Sequence, residues 1–501
     1  MTARSFEESI RLLNDRINLE RLRSFTSKDM EGRLETLQQI LTSLGNPETA
    51  FQTVHVAGTK GKGSTCVMLE SILREEGWRV GLFTSPHLYS FTERLVINGK
   101  PITPEEFTEL FFSVYEQIEP DILQALTYFE LLTLLAFVFF ARQKVDVAIF
   151  EVGLGGRLDS TNVCRPHVSV ITSISYEHIM QLGPTLSDIT AEKCGIMKPG
   201  VPVVTTVLHP AAQNIIQQKA RSIGSPLFAL NEHFFVRHSM GTASTQYTFR
   251  FEALLPKFPV ELTLDDVSLQ MPGSHQIRNA SAALSAFLLL HQNRKTFDAE
   301  RIRVGLQNSF LPLRIEVIHR SANSPTFIFD GAHNRSSIQA LIKTVERLFP
   351  NLRLLLIFGI SLGKDAEGMF AEISGHFHHI FLTQYSDSNR RFPPKGLRSV
   401  LALNPDIVLE SEPRDDDEPF LTPSIRLNPF VADAVTFPLD LEQELDHVTI
   451  EEDCKSALAK CIQMAEKRDV ICITGSLYLA AELRECFLDG KNYSALAGKL
   501  Q

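Results

Sequence analysis

The sequence lacks a cysteine framework. Its seven cysteines, at 66, 164, 194, 454, 461, 472 and 486, are odd in number and contain no C-x-x-C pair. That excludes a disulfide scaffold or an ordinary zinc site and points to a reducing cytosol. A membrane-length apolar run is also missing. The most apolar stretch, 131–141, is bounded by Glu130 and Arg142; it is too short to span a bilayer and reads as a buried helix. Residues 1–13 are charged and mixed, without the apolar centre of a signal peptide. Positive charge is scarce, with 49 Lys+Arg against 59 Asp+Glu and a net charge of -10. This argues against a broad nucleic-acid surface, although one cluster of N–H groups and a lysine can still hold a phosphate. No internal repeat is visible.

What is present suits a soluble globular protein: 44% hydrophobic and 22% charged residues over 501 positions, too long for one ordinary core, so two domains are expected. Strand and helix signals alternate through the first half. Residues 51–57, 80–84, 145–152, 168–174 and 201–206 read as strands, with helices at 64–76, 105–117, 128–142 and 275–291. The nearly continuous apolar runs are those of strands buried on both faces of a parallel sheet. The stretch 234–269 alternates instead, as a small antiparallel excursion would. After a pause at Leu311-Pro312-Leu313 a second series follows, with strands at 326–330, 352–358, 379–384 and 470–474 and helices at 336–349, 451–467 and 476–487. The expectation is an α/β protein: a doubly wound, P-loop ATPase-like N-terminal domain (1–308) and a smaller Rossmann-like C-terminal domain (309–501). Residues 385–445, rich in Pro, Asp and Arg, read as a solvated insertion.

Gly58-Thr59-Lys60-Gly61-Lys62-Gly63-Ser64 lies between a strand and a helix, the context a phosphate loop requires. Its glycines let successive N–H groups point at one anion, and Lys62 can reach the β- and γ-phosphates of ATP. The spacing departs from G-x-x-x-x-G-K-[ST]. Further on, Glu151-Val152-Gly153-Leu154-Gly155-Gly156-Arg157-Leu158-Asp159-Ser160-Thr161-Asn162 places a carboxylate at the end of a buried strand, where parallel sheets bind ligands and where hard oxygen donors suit Mg²⁺.

Together these segments resemble the folylpolyglutamate synthase branch of the Mur ligase superfamily. More matches follow in order: Thr84-Ser85-Pro86-His87-Leu88, Tyr176-Glu177-His178 where the family shows D-H, Ala191-Glu192-Lys193, His275-Gln276-Ile277-Arg278-Asn279-Ala280, Leu311-Pro312-Leu313-Arg314-Ile315-Glu316 with Leu313 in place of the usual glycine, Phe329-Asp330-Gly331-Ala332-His333-Asn334 and Thr474-Gly475-Ser476-Leu477-Tyr478. Taken alone, Ser85 would read as a helix cap and His178 as a loop histidine.

The resemblance implies an ATP-dependent ligase that activates a folate carboxylate as an acyl phosphate and joins L-glutamate to it. It implies two Mg²⁺ sites, one at Ser85 and Glu151 and one at His178 and a carbamylated Lys193, and leaves room for a monovalent cation. ATP would be held by 58–64, Asn279, Arg314 and Asp330, spanning both domains, which would close during turnover. Glutamate would lie near His333 and Ser476, and the pterin near Phe129 and Asp159, bordered by 17–21 and 127–130. Lys62, Lys193 and His333 carry the catalytic roles. The family suggests a cytoplasmic monomer. Dihydropteroate as an alternative or additional acceptor stays open. A cell-wall ligase fits the motifs less well. A nucleotide-dependent switch would need no amino-acid-dependent turnover.

Overall fold

The computed structural model describes residues 4–18, 32–239, 247–255, 260–291, 294, 296–319, 324–386, 390–403 and 447–489. The chain divides into two compact units, Met1–Leu311 and Pro312–Gln501. Of the expected 385–445 insertion, 387–389 and 404–445 lie outside the described residues, as do 19–21 of the first acceptor-side segment. The described part is not a solvated loop, because Pro394–Leu403 forms a helix whose Leu397, Val400 and Leu401 are buried in the core of the second unit.

The first unit is built on eight strands: β1 (Gln52–Ala57), β2 (Val80–Phe83), β3 (Leu95–Ile97), β4 (Lys100–Pro101), β5 (Val147–Glu151), β6 (Val168–Ile171), β7 (Val203–Thr205) and β8 (Leu227–Ala229). Their order is β4-β3-β2-β5-β1-β6-β7-β8. Pairing is parallel from β2 across to β8, while β3 and β4 add an antiparallel edge. The expected strands are all here, shorter at their ends. β3, β4 and β8 had too few residues to show a pattern.

The apolar helix Tyr128–Arg142 is buried almost all round. Phe137 stacks on Phe150 of β5 with ring centroids 4.4 Å apart. A capping box starts it: Thr127 Oγ1 accepts from Glu130 N, and Glu130 Oε2 accepts from Thr127 N at 2.8 Å, satisfying orphan donors of the first turn. Arg33 pairs with the same carboxylate at 2.6 Å. The alternating stretch forms a three-stranded antiparallel sheet of β9 (Phe234–Ser239), β10 (Tyr247–Leu255) and β11 (Val260–Leu269).

The second unit has β12 (Glu316–His319), β13 (Thr326–Phe329), β14 (Leu354–Phe358), β15 (His379–Leu382), β16 (Val448–Ile450) and β17 (Val470–Thr474), ordered β12-β13-β17-β14-β15-β16. All pairs are parallel except β12 with β13. The edge strands β12 and β16 are only half-buried, so they lack the apolar runs that revealed β13, β14 and β17. The Leu313 that stands for a glycine keeps a glycine-like backbone, with φ +59°, and Ile315 follows at +51°. Such a conformation costs about 1 kcal/mol or more per residue. Both side chains are fully buried, which returns roughly 2 kcal/mol each and holds the segment there. Glu316 is fixed by Arg484 through two hydrogen bonds of 2.7 and 2.8 Å.

Candidate active site

β1 ends at Ala57, and the chain turns through 58–61 into the helix Lys62–Glu75. Gly61 is the N-cap, with φ +85°, and no side chain caps the helix. First-turn N–H groups thus keep the donor capacity, and the positive end of the helix dipole, that an anion would use. Lys62 Nζ donates to Gly58 O at 3.2 Å, folding the lysine over the loop.

The loop is braced by the segment after β6, a support the sequence did not reveal. Thr59 N donates to Ser173 O at 2.7 Å and Lys60 N to Ser173 Oγ at 2.9 Å. Thr172 Oγ1 donates to Lys60 O at 2.7 Å, and Ser175 N to Thr59 Oγ1 at 3.1 Å. Lys60 Nζ pairs with Glu177 at 2.9 Å. Glu177 therefore holds Lys60, the first lysine of the 58–64 loop. The only local signal was the hydroxyl-rich run Thr172-Ser173-Ile174-Ser175.

Glu151 closes β5 beside β1, with Val56 opposite it in register, and its side chain is 5% exposed. Its Oε2 accepts from Ser85 N at 3.1 Å. The same atom would lie 3.4 Å from a Cβ placed on Gly63. Ser85, Glu151 and the phosphate loop are thus brought together. The Ser85–Pro86 peptide is cis.

Gly58, Thr59, Lys62, Gly153, Glu177, His178 and Lys193 line a cavity of about 20 Å³, room for about one water-sized species. Lys193 ends the helix Leu186–Lys193 and is 5% exposed, donating to Gly58 O at 3.1 Å. Burial pulls its ammonium down to about 7, with the Lys62 charge acting in the same direction and Glu177 opposing. A substantial neutral fraction at physiological pH is what addition of the amine to CO₂ needs. His178 is exposed at the cavity rim with φ +55°.

Among the described residues no three His, Cys, Asp or Glu side chains form a metal cluster. The donors are sparse: Ser85 and the buried Glu151 carboxylate offer hard oxygens, Lys193 would offer them only once carbamylated, and His178 adds a borderline nitrogen. That set fits Mg²⁺, which keeps several waters and uses substrate phosphates as ligands, better than a metal needing a full protein cage.

Next to this lies the loop 153–159. Asp159, buried, accepts from Leu154 N at 2.9 Å and Thr161 N at 3.0 Å. Burial raises its carboxyl above the usual range, and those hydrogen bonds oppose the rise. Phe129 comes close by: a Cβ on Gly153 would lie 2.8 Å from its ring and 3.3 Å from Asp159 Oδ2. Asn279, on the helix Ser274–Leu290, packs against Gly61 and donates to Gln276 Oε1 at 2.9 Å.

In the second unit, Asp330 accepts from Ile315 N and Ala332 N, both at 2.8 Å. Arg314 Nη1 donates to Leu313 O at 3.0 Å. His333 Nδ1 contacts Gly331 O at 2.7 Å, and Ser476 caps the helix Leu477–Leu488. These four cluster where β13 and β17 end.

The Mur ligase middle domain matches residues 56–287, and the Mur ligase glutamate ligase domain matches 313–477. The dihydrofolate synthase/folylpolyglutamate synthase of Bacillus subtilis (strain 168) is 35% identical over 396 residues, covering 77% of this chain and 87% of that protein. The folylpolyglutamate synthase of Lacticaseibacillus casei is 28% identical over 477 residues, covering 94% and 98%. Among solved structures, E. coli FolC in complex with DHPP and ADP superposes with a TM-score of 0.76 at 25% identity over 98% of this chain and 99% of that one.

Proposed function

The chain belongs to the folylpolyglutamate synthase family of Mur ligases, and from that premise we propose that it adds L-glutamate to the γ-carboxylate of tetrahydrofolate or its polyglutamates at the expense of ATP. The reaction passes through an acyl phosphate and releases ADP and phosphate. The observation that carries this reading is the uncapped phosphate loop with Lys62, set against buried Glu151 and near-neutral Lys193.

A carboxylate does not condense with an amine in water unaided, so the burden falls on positioning and charge neutralisation. The N–H groups of 61–64 and Lys62 hold the β- and γ-phosphates. Asn279, Arg314 and Asp330 take the rest of ATP. Ser85 and Glu151 would hold one Mg²⁺, and His178 with carbamylated Lys193 a second. Bound there, Mg²⁺ supplies neutralisation of phosphate charge and orientation of the carboxylate. Phe129 offers a face to the pterin and Asp159 a carboxylate. His333 and Ser476 position glutamate, whose amine attacks the acyl carbon and expels phosphate. A cytosolic location accords with seven unpaired thiols, and the monomer is carried over from the family resemblance alone; among the described residues no helix is long and apolar enough to cross a membrane.

The test is phosphate release with ATP and Mg²⁺, comparing L-glutamate with other amino acids, and tetrahydrofolate with dihydropteroate. Glutamate-dependent release with tetrahydrofolate is expected. Release with dihydropteroate as well would establish the second reading, a bifunctional enzyme, which the Bacillus relative favours. No amino-acid-dependent release with either acceptor would overturn both.

A further inference from the structure

His55 lies in the middle of β1, paired with Phe150 on one side and Ser169 on the other, and its side chain is fully buried. No site role fell to it in the sequence. Its Nε2 lies 2.8 Å from Thr161 Oγ1, and Thr161 Oγ1 makes a short hydrogen bond to Asp159 Oδ1. Three buried groups, on two segments more than a hundred residues apart, thus form one line.

The direction of each bond can be worked out. Asp159 is surrounded by donors, with Leu154 N on Oδ2 and Thr161 N on Oδ1, so it is the acceptor. The one hydroxyl proton of Thr161 therefore goes to Asp159. The Thr161 oxygen must then accept, and His55 must carry its proton on Nε2. His55 Nδ1 is left as a bare nitrogen, buried and without a hydrogen-bond partner among the described residues. An unsatisfied buried atom on a core strand costs stability, and a plain apolar residue would avoid that cost. Burial holds the ring neutral, its pKa pulled down to about 3, so the ring stays a one-proton donor across the physiological range.

The geometry points to His55 as a positioning residue for the acceptor side of the site: its Nε2–H commits the Thr161 hydroxyl to Asp159, which fixes the loop 153–159 beside Phe129. This deepens the proposed function and rests on it for the identity of the acceptor. Three residues after His55, the same strand runs into the phosphate loop at Gly58. One strand would therefore set both the phosphate loop and, through a buried hydroxyl, the carboxylate facing the pterin.

The test compares His55→Leu, which deletes the donor, with His55→Gln, whose side-chain Nε2 can replace it. Acceptor KM should rise about fivefold in the leucine variant, the size expected for one lost buried hydrogen bond, while ATP KM stays within experimental error; glutamine should restore most of the loss. Hydrogen exchange of peptides covering 153–163, measured without substrates, should quicken in the leucine variant and return in the glutamine variant. Equal acceptor KM in all three proteins, or parallel changes in acceptor and ATP KM, would overturn the role. If wild type turns over no folate acceptor, the functional reading has failed. Exchange then decides the relay by itself: unchanged exchange in His55→Leu overturns it, and faster exchange reversed by glutamine sustains it.

Discussion

The backbone of Gly61 packs against the Asn279 carboxamide so closely that a Cβ at position 61 would overlap it. With φ +85°, the same position also disfavours any L side chain. Gly61→Ala should therefore weaken ATP binding by about tenfold or more, since each of clash and strain is worth 1 kcal/mol or so. Calorimetric titration with ATP is the check. An unchanged Kd would remove Gly61 and Asn279 from the nucleotide site.

Arg314→Ala should raise the ATP KM or lower kcat. It leaves the buried turn intact, because Asp330 and the apolar pair Leu313 and Ile315 hold that turn. Wild-type steady-state kinetics from this variant would refute a phosphate role for the guanidinium.

Glu151→Gln keeps the shape of the buried side chain and removes its charge. A neutral amide is a poorer ligand for a hard cation, so the Mg²⁺ concentration for half-maximal rate should climb, and chelation with EDTA should stop wild-type turnover. An unaltered Mg²⁺ dependence in Glu151→Gln would place the metal elsewhere.

Arg484→Leu would leave the largely buried Glu316 carboxylate without its cation, holding only a hydrogen bond from Leu313 N at 3.2 Å; its side chain is 9% exposed. Losing one partner of such a pair costs about 3 kcal/mol. Denaturant unfolding should show the second unit destabilised by that order. A loss below about 0.5 kcal/mol would class the pair with ordinary surface bridges.

His55 makes acid stability predictable in sign. Its folded pKa, about 3, lies below the ordinary 6.5 because of burial first and the Lys198 charge second. Between those values the unfolded chain binds a proton that the folded one does not, so this stabilisation is complete above 6.5 and is lost as pH falls toward 3. Unfolding of wild type should take up about one proton more than unfolding of His55→Leu in that window. Equal slopes of stability against pH would contradict a neutral buried ring.

The parts of the site that could be read in advance are those made by neighbours in sequence. A strand, a glycine turn and a helix start are local, so the strand–turn–helix context of 58–64 was legible, as was the place of Glu151 at the end of a continuous apolar run. What could not be read were pairings made by folding. Lys60 meets Glu177, Arg484 meets Glu316 and His55 meets Thr161, each across a hundred residues or more, with no periodicity to announce them. Leu313 is a different case. The sequence showed a residue where a glycine is usual, but only the structure shows that burial holds the left-handed backbone without the glycine.

All seven thiols are free, all are buried, and burial raises the pKa of every one. Since the thiolate is the reactive form, alkylating reagents and mild oxidants meet a nearly silent background. A single cysteine introduced at an exposed position would carry a fluorophore or spin label almost alone, with no native cysteine removed first. The folded chain can therefore be instrumented for distance measurements in its natural sequence.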